Sequence, residues 1–477
     1  MSQVFLYLAL HLLGVAVCLA FGPRRRTLLC AALGFPIGLA VAVAIELLML
    51  GLGIPFTVAT GLGAAALVLS ACLAVLRTRG WPEARDWSLL LRWTAGFTVG
   101  AALLSVLNFS ILTYDSHYIV MTGSILAQDG AFAPSIMERL GDYGVFEVLA
   151  HSLVMFTRQT FLFSLAPVFA ASTVALFGVV LDLALDALEV RVPRRRLLVA
   201  LVTAATFSAY MLFRHAFYIH TNLGSATYLF GFCALFWLSE VEESTDALPI
   251  AFIALTALGL HRIEAPLVCV LFLSLTVLGS RLPARAVLVP LAGFTLATIG
   301  WYLLLASGVS ASSEFLTPGR CYLLAGITVA FFAYAALSSW RPFAFLRRWH
   351  RYMPALLALV FGLALVAAFA LRFHHMQSSA AGWFTCLLQA PYWEGVWEAI
   401  IVLALLGLFA PAPPNRWVFV VGIPAYMALI LLLVWKRTPY YNGMGDSASR
   451  MAIHLVPLAL FYFALKYIPL LARKTDD

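Results

Sequence analysis

The chain has 477 residues, of which 63% are hydrophobic and only 11% are charged, and its mean hydropathy is +0.96. A soluble domain has about a quarter charged residues and under half apolar ones, so a soluble enzyme and a disordered chain are both excluded. The net charge of +8 does not indicate nucleic acid, because Lys and Arg of membrane proteins collect in cytoplasmic loops. The composition therefore predicts an integral membrane protein.

Apolar runs of membrane-spanning length follow one another along the whole chain. A span needs about 20 apolar residues, and the runs between residues 2 and 470 predict an all-α, polytopic bundle of thirteen to fifteen transmembrane helices. The first run, 2–20, lacks the basic residues that precede the apolar part of a signal peptide, and so predicts a retained helix. Nothing between the runs reaches the size of a separate soluble domain.

The basic residues are unevenly divided between the two sides of this predicted bundle. With the N-terminus outside, nineteen of the 30 Lys and Arg residues fall in cytoplasmic loops and nine in outer segments. This bias follows the positive-inside rule. It predicts a cytoplasmic C-terminus in a multi-pass protein of a bacterial inner or plasma membrane. The longest outer loop, 113–159, contains two short apolar stretches, 116–128 and 143–156, which predict interfacial amphipathic helices.

Ionisable side chains at membrane depth mark function more often than surface charges do, and five groups of them fall on the predicted outer side. In the first group, Asp115 follows a wholly apolar run and precedes His117 and Tyr118. A carboxylate at that boundary can act as a general base, or it can cap the following helix.

In the second group, Glu147 and His151 are spaced to share one helical face. They leave open a divalent-metal site, with Asp115, Glu147 and His151 as candidate ligands.

The third and fourth groups combine cations with histidines or an acid. Arg214, His215 and His220 lie just beyond an apolar run. They suit a phosphate or sugar surface, and equally an interfacial belt of aromatic residues. Arg262 and Glu264 interrupt an apolar run ahead of a proline. This pair is either purely structural or part of a broken helix that lines a cavity, and we favour the cavity.

The fifth group is the polar run 436–450, which precedes the last apolar run and contains Tyr441, Asp446 and Arg450. Arginine presents a fork of donors that binds phosphate oxygens bidentately. Asp446 is either the partner of this arginine or an acceptor for a sugar hydroxyl. A run of this polarity directly before a hydrophobic helix favours a binding function over a linker.

These features resemble the GT-C superfamily of integral-membrane glycosyltransferases, which take sugars from polyprenyl phosphates at the outer membrane face. The resemblance rests on TyrAspSerHisTyr at 114–118, on AlaGlnAspGlyAlaPhe at 127–132 of the same loop, and on the arginine that ends GlyAspSerAlaSerArg at 445–450. It covers residues 90–477 as a membrane-embedded catalytic core and leaves 1–89 as extra N-terminal transmembrane helices.

The resemblance also implies a mechanism and its partners. Asp115 would deprotonate a hydroxyl of a lipid, glycan or protein acceptor, Arg262 and Arg450 would hold the departing polyprenyl phosphate, and the anomeric carbon of a hexosyl or pentosyl group would invert. Many members have a double acidic motif at this position, whereas Asp115 is followed by Ser116, which leaves metal dependence open.

The other expected partners are membrane lipids, and no nucleic acid is expected. The residues expected to bind substrate are His117, Tyr118, Arg214, His215, His220, Arg262, Glu264, Tyr441, Asp446 and Arg450.

Three other classes of membrane protein compete with this interpretation. A transporter or flippase of a lipid-linked anionic substrate would use the same arginines as phosphate ligands, but it needs polar groups through the full membrane depth, and here they collect at one face. An O-antigen-type polymerase or ligase would depend on an outer-loop histidine such as His215 or His220. A purely structural protein leaves Asp115 and the run 436–450 without explanation.

Overall fold

The computed structural model describes residues 2–23, 26–107, 110–133, 136–137, 140, 144–308, 317–388, 393–436 and 447–473. Within these ranges every regular element is helical, and extended backbone pairs only at an isolated bridge between Ile111 and Tyr218. The all-α fold class is thereby confirmed.

The helices follow one another with short connections. Their bounds are α1 (Gln3–Phe21), α2 (Thr27–Gly51), α3 (Val58–Arg79), α4 (Ala84–Leu107), α5 (Tyr114–Asp129), α6 (Phe146–Ser152), α7 (Leu165–Ala187), α8 (Arg195–Phe207), α9 (Tyr210–His215), α10 (Thr221–Val241), α11 (Leu248–His261), α12 (Ala265–Leu273), α13 (Ala284–Gly308), α14 (Pro318–Ser339), α15 (Met353–Leu371), α16 (Phe373–Leu388), α17 (Val396–Gly407), α18 (Trp417–Val420), α19 (Gly422–Lys436), α20 (Ser447–Met451) and α21 (Val456–Arg473). Short 3-10 or π segments are Leu153–Phe156, Ser274–Leu278, Arg341–Tyr352 and Ala452–Leu455.

Within the described ranges, ten helical segments are long and apolar enough to cross a membrane, so the chain is a multi-pass membrane protein. This count is lower than the thirteen to fifteen spans predicted, because several predicted spans are helices of fewer than eighteen residues. The shorter apolar helices in the same ranges are Phe146–Phe156, Leu248–His261, Ala265–Leu278 and Val396–Gly407.

The N-terminal hairpin of α1 and α2 is closely packed because glycines lie in its interface. A Cβ atom on Gly14 would lie 1.8 Å from the carbonyl oxygen of Gly34, and one on Gly38 would lie 1.7 Å from that of Leu10. Small residues allow membrane helices to approach until their backbones touch. The main cluster of buried apolar side chains includes both helices and reaches to the end of α21, so residues before position 90 share the core of the bundle.

Connections that the charge pattern assigns to the cytoplasmic side lie together. Arg26, before α2, forms an ion pair with Glu242, after α10. At the end of α3, Arg79 lies 3.9 Å from Asp246, in the same connection as Glu242. Residues assigned to the outer side form the separate cluster described in the next subsection. These two contacts bring the connections before α2, after α3 and after α10 to one end of the bundle.

The predicted outer loop is packed into the protein more deeply than an interfacial segment. All residues of α6 except Glu147 are buried, whereas a helix lying along a membrane surface exposes a polar face. The described part of 143–156 thus differs from the prediction, because this short helix packs against α2 and α5 instead of lying along a surface.

Candidate functional site

Three segments that are distant in sequence bring Asp115, His220 and Arg450 together. Asp115 lies in the first turn of α5, His220 precedes α10, and Arg450 lies in α20. Arg450 Nη1 donates to Asp115 Oδ2 at 3.1 Å, and the same Nη1 lies 3.2 Å from His220 Nε2. The distance from His220 Nε2 to Asp115 Oδ2 is 3.6 Å. The Asp115 side chain is 24% exposed, so this cluster, which we call the Asp115 site, is accessible to a ligand.

The start of α5 is fixed against the segment that leads into α10. The backbone N–H of Ile111 donates to the carbonyl of Phe217 at 2.6 Å. Thr113 Oγ1 lies 2.7 Å from the Tyr218 hydroxyl, and Ser116 donates its hydroxyl to the carbonyl of Ile219 at 2.8 Å. Thr113 is the N-cap residue of α5. The alternative role of Asp115 as the helix cap is therefore wrong, and its carboxylate faces Arg450 instead.

A buried amide sets the proton position of His220. Arg262 Nη1 donates to Asn222 Oδ1 at 2.7 Å, which turns the amide nitrogen of Asn222 toward His220 Nδ1 at 2.8 Å. Because an amide N–H donates, Nδ1 of His220 accepts, and the proton of the neutral ring is assigned to Nε2. That is the ring atom facing Asp115, and since it carries a proton it does not accept from Arg450 Nη1, which lies 3.2 Å away.

The same amide is held from the far side by the 3-10 segment Ala452–Leu455, which precedes the last helix. Tyr426 and His454 Nδ1 are 2.5 Å apart, and His454 Nε2 lies 3.3 Å from Asn222 Oδ1. With the tyrosine donating to Nδ1, Nε2 of His454 carries the proton and donates to the amide oxygen. A directed series of hydrogen bonds therefore runs from Tyr426 to His220, and it holds the imidazole in one orientation.

The charges at this site favour an ionised carboxylate beside a neutral imidazole. The contacts that Asp115 receives from His220 and Arg450 hold its pKa well below the usual range. Burial lowers the pKa of His220 to about 4. At neutral pH the Asp115 site thus contains one carboxylate, one guanidinium and an uncharged His220. The guanidinium of Arg450 is the group best placed to meet an incoming anion.

The break predicted around Arg262 is present and joins the Asp115 site. The helix α11 ends at His261 and α12 begins at Ala265. Between them, Arg262 Nε and Nη2 both lie 2.6 Å from Glu264 Oε1. Arg262 also reaches Asn222, so this ion pair is linked to His220 through a single amide. The predicted break and ion pair are therefore present, and the pair contacts the residues around His220.

Deeper in the protein, one glutamate and three histidines border a small cavity. Glu147, His151, His215 and His220 line a volume of about 20 Å³, which is enough for one water molecule. Within the described residues, the Nδ1 atoms of His151 and His215 have no hydrogen-bond partner. Burial raises the pKa of Glu147 to about 8. A bound water is the smallest ligand that would satisfy these polar atoms.

The predicted metal ligands do not share a common position. Asp115 lies beside Arg450, whereas Glu147 Oε1 lies 3.6 Å from Nε2 of the buried His261. Across the ranges that the structure describes, no three His, Cys, Asp or Glu side chains are placed to hold one metal ion. The predicted set of Asp115, Glu147 and His151 therefore does not fit a single ion, and no step below is assigned to a metal.

The remaining predicted residues lie at varying distances from this centre. His117 points outward from α5 and is exposed, while Tyr118 on the same helix is half-buried. Arg214 is half-buried in the last turn of α9. Tyr441 and Asp446 lie outside the described residues.

Sequence reasoning missed three residues of the hydrogen-bonded series. Asn222 ends the polar segment 214–222 but carries no charge, and Tyr426 lies within an apolar run. His454 follows Arg450 by four residues, so helical spacing places both on one face and was the available signal. Comparisons with family models, with curated proteins and with solved structures find no match to this chain.

Proposed function

We propose that the protein is a membrane glycosyltransferase of the GT-C type. It transfers a sugar from a polyprenyl-phosphate donor to a lipid, glycan or protein acceptor at the outer membrane face. The observation that supports this proposal most strongly is the contact between Asp115 and Arg450 beside His220. A proton acceptor and a phosphate ligand lie side by side there, at the boundary of a membrane-embedded bundle.

The ion pair suggests how donor binding activates the base. While Arg450 donates to Asp115, the carboxylate has a low pKa and accepts a proton poorly, since a useful base has a pKa near the working pH. A donor phosphate competes for the same guanidinium. As Arg450 turns part of its fork to the phosphate, the pKa of Asp115 rises toward its ordinary value, and the carboxylate becomes a better base only when donor is present.

The transfer itself is a single displacement. Asp115 takes the proton of the acceptor hydroxyl, the acceptor oxygen forms a bond to the anomeric carbon, and the bond from that carbon to the phosphate oxygen breaks. The electron pair of that bond leaves with the polyprenyl phosphate, whose charge is stabilised by Arg450 and Arg262. Attack from the face opposite the phosphate inverts the anomeric configuration. The Nε2–H of His220 lies 3.6 Å from Asp115 Oδ2, close enough to help to orient the carboxylate by its dipole.

The test compares glycolipids and glycans, by mass spectrometry, from cells that lack the protein and from cells that carry defined variants. Asp115→Asn keeps the size of the side chain and removes the base, so we expect a roughly 10²- to 10⁴-fold loss of transfer. Asp129→Asn is the matched control, because Asp129 lies at the exposed far end of the same helix. It should transfer at the wild-type rate.

The outcomes separate this proposal from its rivals. A folded Asp115→Asn protein with wild-type transfer would remove Asp115 from the mechanism. Lipid-linked sugar that crosses the bilayer of reconstituted vesicles without being consumed would instead identify a transporter. Loss of transfer in a His220→Gln variant, with full transfer in Asp115→Asn, would favour the histidine-dependent polymerase or ligase.

A further inference from the structure

A second cavity lies in the bundle among α17, the α18–α19 pair and α21. Its volume is about 480 Å³, within the range of small-molecule sites. Apolar side chains such as Ile400, Phe419, Met427 and Phe463 form most of its wall. We call it the α17–α21 groove. Nothing in the proposed transfer reaction uses it.

Two cations border this apolar groove. Lys466 of α21 is only 8% exposed, and Arg416 immediately precedes α18. No acidic residue lines the groove, and neither cation forms an ion pair within the described part of the chain. The ammonium of Lys466 lies 5.7 Å from the centre of the Tyr462 ring. The buried ammonium of Lys466 is costly at membrane depth unless something pairs with it. Arg416 is exposed and adds a second positive charge at the same groove, so the pair indicates an anionic ligand.

The shape of the groove beside Lys466 depends on a glycine. A Cβ atom on Gly407 would lie 3.4 Å from Lys466 Nζ and 3.2 Å from the hydroxyl of Tyr467. A larger side chain at position 407 would therefore press on the ammonium group and fill the space next to it. The absence of a side chain here leaves room for a ligand atom near the charge.

The two cations of the groove lie far along the chain from Arg450 and beside exposed apolar side chains. Lys466 follows Arg450 by sixteen residues, which corresponds to about 24 Å along a helix. Beside the groove, Leu408 and Phe409 are 77% and 91% exposed. Apolar side chains this exposed, next to a membrane-spanning helix, face acyl chains. A ligand reaching the two cations from this direction comes from the bilayer.

We propose that the α17–α21 groove binds an anionic glycerophospholipid, with its phosphate between Arg416 and Lys466 and one acyl chain along the apolar wall. The lipid supplies the counter-charge that the lining residues lack and covers their apolar surface. A lipid bound here would brace α21, the helix that follows Arg450. The proposal is independent of glycosyl transfer, since it requires only the groove and its two cations.

Native mass spectrometry of the delipidated full-length protein tests this assignment. The protein is titrated with phosphatidylglycerol and, separately, with phosphatidylcholine. We expect at least one phosphatidylglycerol to bind more tightly than phosphatidylcholine. Lys466→Gln and Arg416→Gln should each weaken that site about tenfold or more, as expected for a charge-assisted contact. Arg348→Gln is the matched control, because Arg348 is an exposed arginine of the Arg341–Tyr352 segment, and it should bind as the wild type does.

A second variant keeps the test valid if removal of a buried cation impairs folding. Gly407→Leu retains both cations and fills the groove, and it should lose phosphatidylglycerol while remaining monodisperse in size-exclusion chromatography. Equal binding of the two lipids by the wild type would overturn the proposal, as would equal loss in Arg348→Gln. Displacement of bound phosphatidylglycerol by millimolar inorganic phosphate would overturn the lipid assignment and leave a free-phosphate site.

Discussion

In the proposed reaction Arg450 links donor binding to the state of the base, because the guanidinium that contacts Asp115 would also bind the donor phosphate. Arg450→Ala should raise the KM for the lipid donor by about tenfold or more, since a charge-assisted contact contributes roughly 1.5–3 kcal/mol. Arg450→Lys should recover only part of this loss, because an ammonium group lacks the bidentate fork. Donor titrations of the purified variants measure both values.

Arg450→Ala should also change the pH dependence of transfer. Without Arg450, one of the groups that depress the pKa of Asp115 is gone, so the acid limb of the pH–rate profile should move to higher pH. An unchanged KM together with an unchanged acid limb would show that the donor phosphate binds elsewhere. Arg214 and Arg262 would then be the next residues to test.

Glu147 provides a separate test at the small polar cavity. Burial raises its pKa to about 8 in the folded protein, from an unfolded value near 4.3. The folded state therefore retains a proton that the unfolded state has lost, and stability should fall as the pH rises from about 4.5 through 8. Glu147→Gln removes this titration but keeps the volume of the side chain. The apparent Tm in detergent, measured from pH 5 to pH 9, should fall less steeply in the variant than in the wild type.

His261 and His151 also face this region, so their titration contributes to the wild-type and the variant alike. The informative quantity is the difference between the two Tm curves. A difference that is constant with pH would mean that Glu147 is ionised in the folded protein at neutral pH. The conclusion that burial raises the pKa of Glu147 would then be wrong.

At the level of single residues, the sequence predicted the members of the Asp115 site better than their contacts. Asp115, His220, Arg262 and Arg450 were recognisable because a polar group next to an apolar run is conspicuous. Their pairing was not, since Arg450 and Asp115 are 335 positions apart and no local pattern relates them. Asn222 escaped notice because an uncharged amide at the start of a helix is common, and only its burial gives it a role.

At the level of helices, the positions of His261 and Glu147 depend on how closely α10 approaches α11 and α6. A Cβ atom on Gly224 of α10 would lie 2.2 Å from His261 Nε2 and 3.2 Å from Glu147 Oε1. Gly224→Ala should therefore displace His261 and destabilise the protein by about 1–3 kcal/mol, the usual cost of overpacking. Gly231→Ala on the same helix is the control, since its Cβ would meet only Ala254 Cβ at 3.9 Å. Alanine is the better helix former, so this variant should be neutral or more stable.

Thermal unfolding of both variants in the same detergent makes this comparison. Equal Tm values for Gly224→Ala and Gly231→Ala would show that α10 can shift without cost. The close approach would then not be needed to hold His261 and Glu147 in place. A lower Tm for Gly224→Ala alone, together with reduced transfer, would link helix spacing to the position of His261 and Glu147.

Helix type could be predicted from apolar runs, but helix length could not. Apolarity alone does not fix where a helix begins and ends, and the apolar helices α6, α11 and α12 have fewer than eighteen residues. The break at 262–264 was predictable because two charges and a proline follow one another there. The burial of α6 was not, because it depends on neighbours that are remote in sequence.

For the molecule as a whole, the two groups of loops give a direct test of sidedness. The charge count predicts that the Asp115 site faces outward and that the connections around Arg26, Glu242 and Arg195 face the cytoplasm. Gln159 and Arg196 are exposed and belong to opposite groups, and the seven native cysteines are buried. A membrane-impermeant maleimide should therefore label Gln159→Cys in intact cells, and Arg196→Cys only after the membrane is permeabilised. The reverse pattern would turn the Asp115 site toward the cytoplasm and remove the outer-face reaction. Labelling of both positions in intact cells would contradict the grouping of the loops itself.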